Sequence, residues 1–248
     1  MENIVFYSAG NSPALSAACA SLTASGYTVA KSPDESVTHL LLPVPSFEPD
    51  GRLKGGKALE SVLEQLPKHV AVFGGNLNTP LPASHLTVDF LKDEAYLCEN
   101  AAITADCAIR IMRNNLPRTI KGTAVLIVGW GRIGKHLARM LQGLGADVTV
   151  AARKASDRGM LDSLGFHAEL PENLNGNLTG YRVIFNTVPE LIITDSPNCL
   201  KIDLASSKGI TGDDVIWARG LPGKDAPESS GELIANTALR YANYKEEL

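Results

Sequence analysis

The stretch that decides the fold is Ala124-Val-Leu-Ile-Val128-Gly129-Trp130-Gly131-Arg132-Ile133-Gly134, followed by Lys135 to Leu144. A continuous apolar run reads as a strand buried on both faces. The glycines break it, and an amphipathic helix follows. Each glycine has its own physical task. Gly129 permits the tight turn, Gly131 lets the backbone approach a pyrophosphate where any Cβ would clash, and Gly134 lets the helix pack closely on the strand. The helix N-terminus then points free N–H groups and its positive dipole end at the phosphates. A lone Gly-x-Gly-x-x-Gly says little, but here a second strand, Asp147–Ala152, follows Gly145 and completes the unit. The turn therefore predicts a dinucleotide site at Gly129, Gly131, Arg132, Ile133 and Gly134.

The end of that second strand selects the dinucleotide. An enzyme using NAD places an acid about 20 residues past the glycines, to hold the ribose 2′-hydroxyl. This chain has Ala151-Ala152-Arg153-Lys154-Ala155-Ser156. Arg153 can grip a 2′-phosphate with its planar fork, assisted by Lys154 and Ser156. The reading is NADP, with NAD as the alternative. After a further strand, Val183–Phe185, comes Asn186-Thr187-Val188-Pro189. Asn186, Thr187 and Pro189 lie where a loop meets the sheet's carboxyl edge. They either contact the nicotinamide ribose or form an ordinary Asn/Pro turn.

Working outward, the first third alternates strands and helices. The strands are Ile4–Tyr7, Tyr27–Ala30, His39–Leu42, His69–Phe73 and Leu86–Val88; helices are expected at Ala14–Ser25 and Lys57–Leu66. Apolar strands separated by helices indicate a parallel sheet covered on both faces, so this half reads as flavodoxin-like. Glu99 to Leu116 carries Ala101, Ala102, Ala105, Ala108, Ile109 and Met112 at helical spacing, and it joins the two halves. Strands Leu200–Asp203 and Val215–Trp217 complete the second. The fold class is thus α/β with two domains. A substrate domain occupies 1–100, a Rossmann dinucleotide-binding domain occupies 101–229, and a terminal helix at 230–248 packs back on the first.

Composition excludes several functions. The net charge of −4 argues against nucleic acid as the main partner. No run approaches the ~18 apolar residues of a membrane span. The N-terminus has an acid at Glu2 and lacks a signal peptide's basic and apolar regions, so a cytoplasmic location is expected. Cys19, Cys98, Cys107 and Cys199 fit neither a zinc site nor a disulfide framework.

Several stretches together resemble the A-type chains of dipicolinate synthase, a sporulation family. They include Leu40-Leu-Leu-Pro-Val-Pro45, Phe73-Gly-Gly75, Asp89-Phe-Leu-Lys-Asp-Glu94 and Asn100-Ala-Ala-Ile-Thr-Ala105. Asn186-Thr-Val-Pro189, Asp203-Leu-Ala-Ser206 and Gly220-Leu-Pro-Gly-Lys224 with Ala226-Pro227-Glu228 extend the likeness to about residue 235. The resemblance implies oxidation of a dihydrodipicolinate-type ring by a pyridine nucleotide. It also implies a small anionic substrate and a flavoprotein-like second subunit. The expected assembly of the chain itself is a homo-oligomer.

The chain departs from the family where Ser8-Ala9-Gly10-Asn11-Ser12 replaces a turn with an acid and an arginine. Asp106-Cys107 replaces Glu-Gly, and Ser207-Lys208-Gly209 replaces Pro-Gly-Gly. The expected substrate pocket lies between the domains. Its candidate lining is Ser8, Asn11, Ser12, Asn76, Asn78, Asn100 and Thr104, with Lys208 supplying a positive charge. Two alternatives stay open: a dehydrogenase of another small carboxylic acid, or a non-catalytic nucleotide-binding subunit. The 2-hydroxy-acid mechanism needs a late histidine, and none follows His167.

Overall fold

A computed structural model describes residues 4–77, 85–174, 178–190, 193 and 199–243. The chain divides into two compact units, Met1–Asn100 with Pro222–Leu248, and Ala101–Leu221. The division falls after Leu221, whereas the sequence suggested 229.

In the first unit the strands are β1 (Val5–Ser8), β2 (Thr28–Ala30), β3 (His39–Leu41), β4 (Ala71–Gly74) and β5 (Thr87–Asp89). They form one parallel sheet in the order β2-β1-β3-β4-β5, the flavodoxin-like arrangement. Helices α1 (Pro13–Ala24) and α2 (Leu59–Leu63) join the strands; α2 is shorter than its apolar spacing suggested. Ser12 caps α1 by accepting from Leu15 N at 3.1 Å, and Pro13 takes the first helical position, where its missing N–H costs nothing. One face of the sheet buries Leu40, Leu42, Val62, Val70 and Val72 in a single cluster.

The long helix α3 runs Glu94–Asn115 and so begins before the expected Glu99. The reason is Asp93, whose Oδ1 accepts from Ala95 N at 2.8 Å and Tyr96 N at 3.2 Å. That carboxylate is an N-cap which the apolar spacing alone could not reveal.

The second unit holds β6 (Ala124–Val128), α4 (Arg132–Gly143), β7 (Asp147–Ala151), α5 (Ala155–Ser163), β8 (His167–Glu169), β9 (Val183–Asn186), β10 (Leu200–Asp203) and β11 (Val215–Trp217). The strands are parallel in the order β11-β10-β9-β6-β7-β8. This is the doubly wound order of dinucleotide-binding folds, and its switch point lies between β6 and β9. β9 is buried throughout, as a central parallel strand should be. α5 and β8 were not expected from sequence; β8 is a short edge strand, His-Ala-Glu, with no apolar run to betray it.

A short helix α6 (Leu221–Asp225) precedes α7 (Pro227–Asn243), which belongs to the first unit. α7 packs tightly on α1: a Cβ at Gly231 would run into Ala17 Cβ, Ala18 N and Ala14 O. Arg240 pairs with Asp93, and Tyr241 donates to the same carboxylate at 3.0 Å. Among the described residues, no helix is long and apolar enough to cross a membrane.

Candidate functional site

The glycine turn sits at the sheet's switch point. Gly129 has φ +107°, a backbone conformation that a side chain would strain. Its N–H donates to Ala151 O at 2.9 Å. Just past β9, Thr187 donates to Val128 O twice, through its N–H at 2.9 Å and its hydroxyl at 2.8 Å. Any Cβ on Gly129 would collide with that hydroxyl. A Cβ on Gly134 would collide with the Gly129 carbonyl oxygen, so α4 can approach the turn only there as glycine. Gly131 differs from both. Among the described residues, nothing lies within 4 Å of where its Cβ would stand. It is also the N-cap of α4 and brings no side chain to cover the helix's first N–H groups. Two glycines are thus required by the protein's own atoms, while the third leaves space open.

That space is a cleft of about 230 Å³, whose lining includes Gly129, Trp130, Gly131, Arg153, Lys154 and Glu190. Trp130 is braced edge-to-face on Phe166, ring centroids 6.0 Å apart, and Lys135 Nζ stands 5.9 Å from its centroid. Arg132 and Ile133 occupy the first turn of α4, Arg132 exposed and Ile133 half-buried. Arg153 Nη1 lies 3.2 and 3.1 Å from the two carboxylate oxygens of Glu190. Both side chains are well exposed, 67% and 57%. Arg158 stiffens the segment by donating to the Ala152 and Arg153 carbonyls at 2.8 and 2.7 Å. Asp157 also lines the cleft, so Arg153 and Lys154 are balanced by two acids. Glu190 was missed in the sequence because it lies 37 residues beyond Arg153. Ser156 is exposed at the start of α5 and does not line the cleft.

Asn186 is buried, and its amide is engaged inside the protein. Nδ2 donates to Val188 O at 2.8 Å and to Asp203 Oδ1 at 2.9 Å; Oδ1 accepts from Val188 N at 3.2 Å. It shapes the turn instead of facing the cleft. Pro189 is exposed, and its carbonyl accepts from Ser207 Oγ at 2.7 Å. Asp203 is the hub. Fully buried, it also accepts from Ala205 N at 3.1 Å, Gly209 N at 2.7 Å and Ile210 N at 3.1 Å. A buried carboxylate needs such donors, and these join the loops after β9 and β10 into one block. Lys208 stands exposed on that block, its Nζ 5.4 Å from the centroid of the Trp217 ring.

The other candidates belong to the first unit and to α3. Ser8 is half-buried at the end of β1, and Asn11 is exposed with its N–H on Lys54 O at 2.6 Å. Ser12 uses its oxygen as the α1 cap. Asn76 is exposed at φ +59°, its N–H held by Asp89 Oδ1 at 3.0 Å. Asn100 and Thr104 share α3, half-buried and buried respectively. Asn78 lies outside the described residues.

Residues 102–190 match the model of the D-isomer specific 2-hydroxyacid dehydrogenase NAD binding domain. The A-type chain of dipicolinate synthase from Bacillus subtilis (strain 168) is 27% identical over 229 residues, covering 82% of this chain and 77% of the relative. The protein resembles that dipicolinate synthase component. The crystal structure of the corresponding component from Bacillus halodurans superposes with a TM-score of 0.79 at 23% identity, covering 97% of each chain. A transhydrogenase from Sinorhizobium meliloti shares the fold more distantly, with TM-score 0.68 at 10% identity over 96% of this chain and 93% of that one. The matched domain contains the whole glycine turn and the cleft. The cleft therefore lies within the stretch that resembles a nicotinamide dinucleotide-binding domain.

Proposed function

We propose that the chain is an oxidoreductase that removes a hydride from a dihydrodipicolinate-type ring, yielding dipicolinate. The observation that carries the reading is the open space at Gly131, inside a domain of the nicotinamide-binding kind. Gly129, Gly131, Arg132, Ile133 and Gly134 would cradle the pyrophosphate at the N-terminus of α4. Arg153, with Lys154, would hold the adenosine ribose end, and Ser156, outside the cleft, would take no part. Thr187 and Pro189, positioned by Asn186, would flank the nicotinamide end.

When bound, the oxidised nicotinamide supplies the hydride acceptor. The ring loses one hydride from carbon and one proton to solvent, so two electrons leave it and aromaticity is gained. The protein's own task is orientation and exclusion of water. In this reading a second, flavoprotein-like partner works with the chain, which acts in the cytoplasm as a homo-oligomer.

NADP is the preferred cofactor, because a 2′-phosphate can replace the Glu190 carboxylate on the Arg153 fork. NAD is the second reading. It is favoured by the ion pair itself, since Glu190 already satisfies the guanidinium.

The test is thermal stabilisation by NADP, NAD and dipicolinate, singly and in pairs. A ligand of the native state at 100 times its Kd raises stability by about 2.7 kcal/mol. Stabilisation by a dinucleotide and further by dipicolinate is expected. No shift with either dinucleotide would overturn the reading.

A further inference from the structure

Trp217 ends β11, opposite Asp203 in the parallel register. The residue is 41% exposed, yet its ring is not loose: Nε1 donates to Ala205 O at 3.3 Å. Two cations rest on this one indole. Lys208 Nζ is 5.4 Å and the Arg219 guanidinium carbon 5.3 Å from its centroid. Both cation-bearing segments hang from one buried residue. Gly209 N–H, next to Lys208, donates to the Asp203 carboxylate at 2.7 Å, and Ala218 N–H, next to Arg219, donates to the Asp203 carbonyl at 2.8 Å. Ser207, on the other side of Lys208, is tied to Pro189 in the loop that carries Val188 and Glu190 of the cleft. Among the described residues, neither Lys208 nor Arg219 has a carboxylate within ion-pair distance.

Two like charges gathered on one ring repel each other. An exposed cation–π contact returns only about 0.5–1 kcal/mol. The arrangement is therefore stabilised most by an anion that meets both cations. It stands at the carboxyl ends of β10 and β11, the edge of a parallel sheet where ligands bind. We infer that Lys208 and Arg219, held on Trp217, form a carboxylate site for a small dicarboxylate substrate. Arg219 offers a planar fork to one carboxylate, and Lys208 offers a point charge. The identity of the dicarboxylate rests on the oxidoreductase reading above; the site itself rests on Trp217 and its two cations.

The chain has two tryptophans, Trp130 in the cleft and Trp217 here, so each can report one site alone. In Trp130→Phe, titration with dipicolinate should change Trp217 fluorescence saturably. Lys208→Ala and Arg219→Ala, each in that background, should weaken binding at least about tenfold, and Lys208→Arg should stay within about threefold. Unaltered circular dichroism checks folding in each variant. An equal response to inorganic phosphate at matched ionic strength would mean a general anion patch and overturn the proposal. So would unchanged affinity in the double alanine variant, or no response to dipicolinate; the last would leave the patch to an acidic protein partner. In Trp217→Phe, Trp130 reports dinucleotide. If NADP and NAD fail there while dipicolinate still binds at Lys208 and Arg219, the oxidoreductase reading falls and this site stands. The reverse result sinks this site alone.

Discussion

The first turn of each unit follows a strand and opens a helix, yet the two turns end in opposite conditions. After β6, the helix cap is Gly131, with no atom of the described residues near its Cβ position and no side-chain cap on α4. After β1, the space is filled from within. A Cβ on Gly10 would stand 2.8 Å from Pro43 and 2.9 Å from Lys54 O; Asn11 N–H is taken by Lys54, and Ser12 covers the start of α1 with its own oxygen. One α/β grammar therefore leaves an open turn in one unit and a self-sealed turn in the other. The difference lies in the helix N–H groups: the chain's own Ser12 oxygen meets those of α1, while no N-cap side chain meets those of α4.

The comparison breaks most sharply at Gly131. Gly131→Val adds atoms only to open space, so the fold should persist while dinucleotide affinity drops by on the order of a thousandfold, about 4 kcal/mol. Gly134→Ala, three residues on, drives a methyl into a backbone carbonyl and should lower the melting temperature instead. Calorimetric titration and thermal melts of both variants separate the two effects. A folded Gly131→Val protein with normal NADP affinity would place the cofactor elsewhere.

The sheets behind the turns differ as well. His39 lies in β3 between Phe6 and Phe73, with centroids 5.2 Å away on either side and Thr38 Oγ1 2.7 Å from Nδ1. Burial pulls its pKa from 6.5 to about 4. The folded unit thus resists the proton that the unfolded chain accepts. The neutral ring's stability is fully present above about pH 6.5 and is lost as pH falls toward 4. The total is roughly 3 kcal/mol at most. Melting temperature against pH should fall through this window in wild type and more shallowly in His39→Leu. Identical slopes would show that His39 is not the group responsible.

How legible this was depended on where the interactions lie along the chain. The two parallel sheets could be read from long apolar runs such as Ala124–Val128, because central strands must be apolar on both faces. The glycine turn was readable because its three residues act within one strand–turn–helix unit. β8 was not, since an edge strand of His-Ala-Glu has no apolar pattern. Nor could sequence tell that Asn186 serves Asp203, a residue 17 positions away, although both lay in motifs already singled out. Glu190 was invisible for the same reason: an ion pair spanning 37 residues leaves no local trace.

Glu190 also sharpens the comparison within the open cleft. If Arg153 reads a 2′-phosphate, Arg153→Ala should cost NADP about tenfold in affinity and leave NAD nearly unchanged. Glu190→Gln should move the preference the other way by a few-fold, since it frees the fork and removes a repelling charge. Titration of both cofactors against both variants is decisive. An unchanged NADP-to-NAD ratio in Arg153→Ala would leave Arg153 as Glu190's partner alone.

The smallest effect tests the sealed turn. Ser12 accepts the Leu15 N–H at 3.1 Å, and Ser16 N–H bonds to the Ser12 carbonyl at 3.1 Å, so the residue starts α1 from both its side chain and its backbone. Ser12→Ala removes only the first of these and should cost about 1 kcal/mol of stability. Ser12→Asp restores an acceptor and adds a negative charge at the positive end of the helix, so it should recover that loss. Neither change should alter dinucleotide affinity, because the α1 N–H groups have no ligand to give up. An Asp variant that is as stable as wild type yet binds dipicolinate more weakly would place an anion near this turn after all. It would also show that the first unit's turn is less sealed than its hydrogen bonds imply.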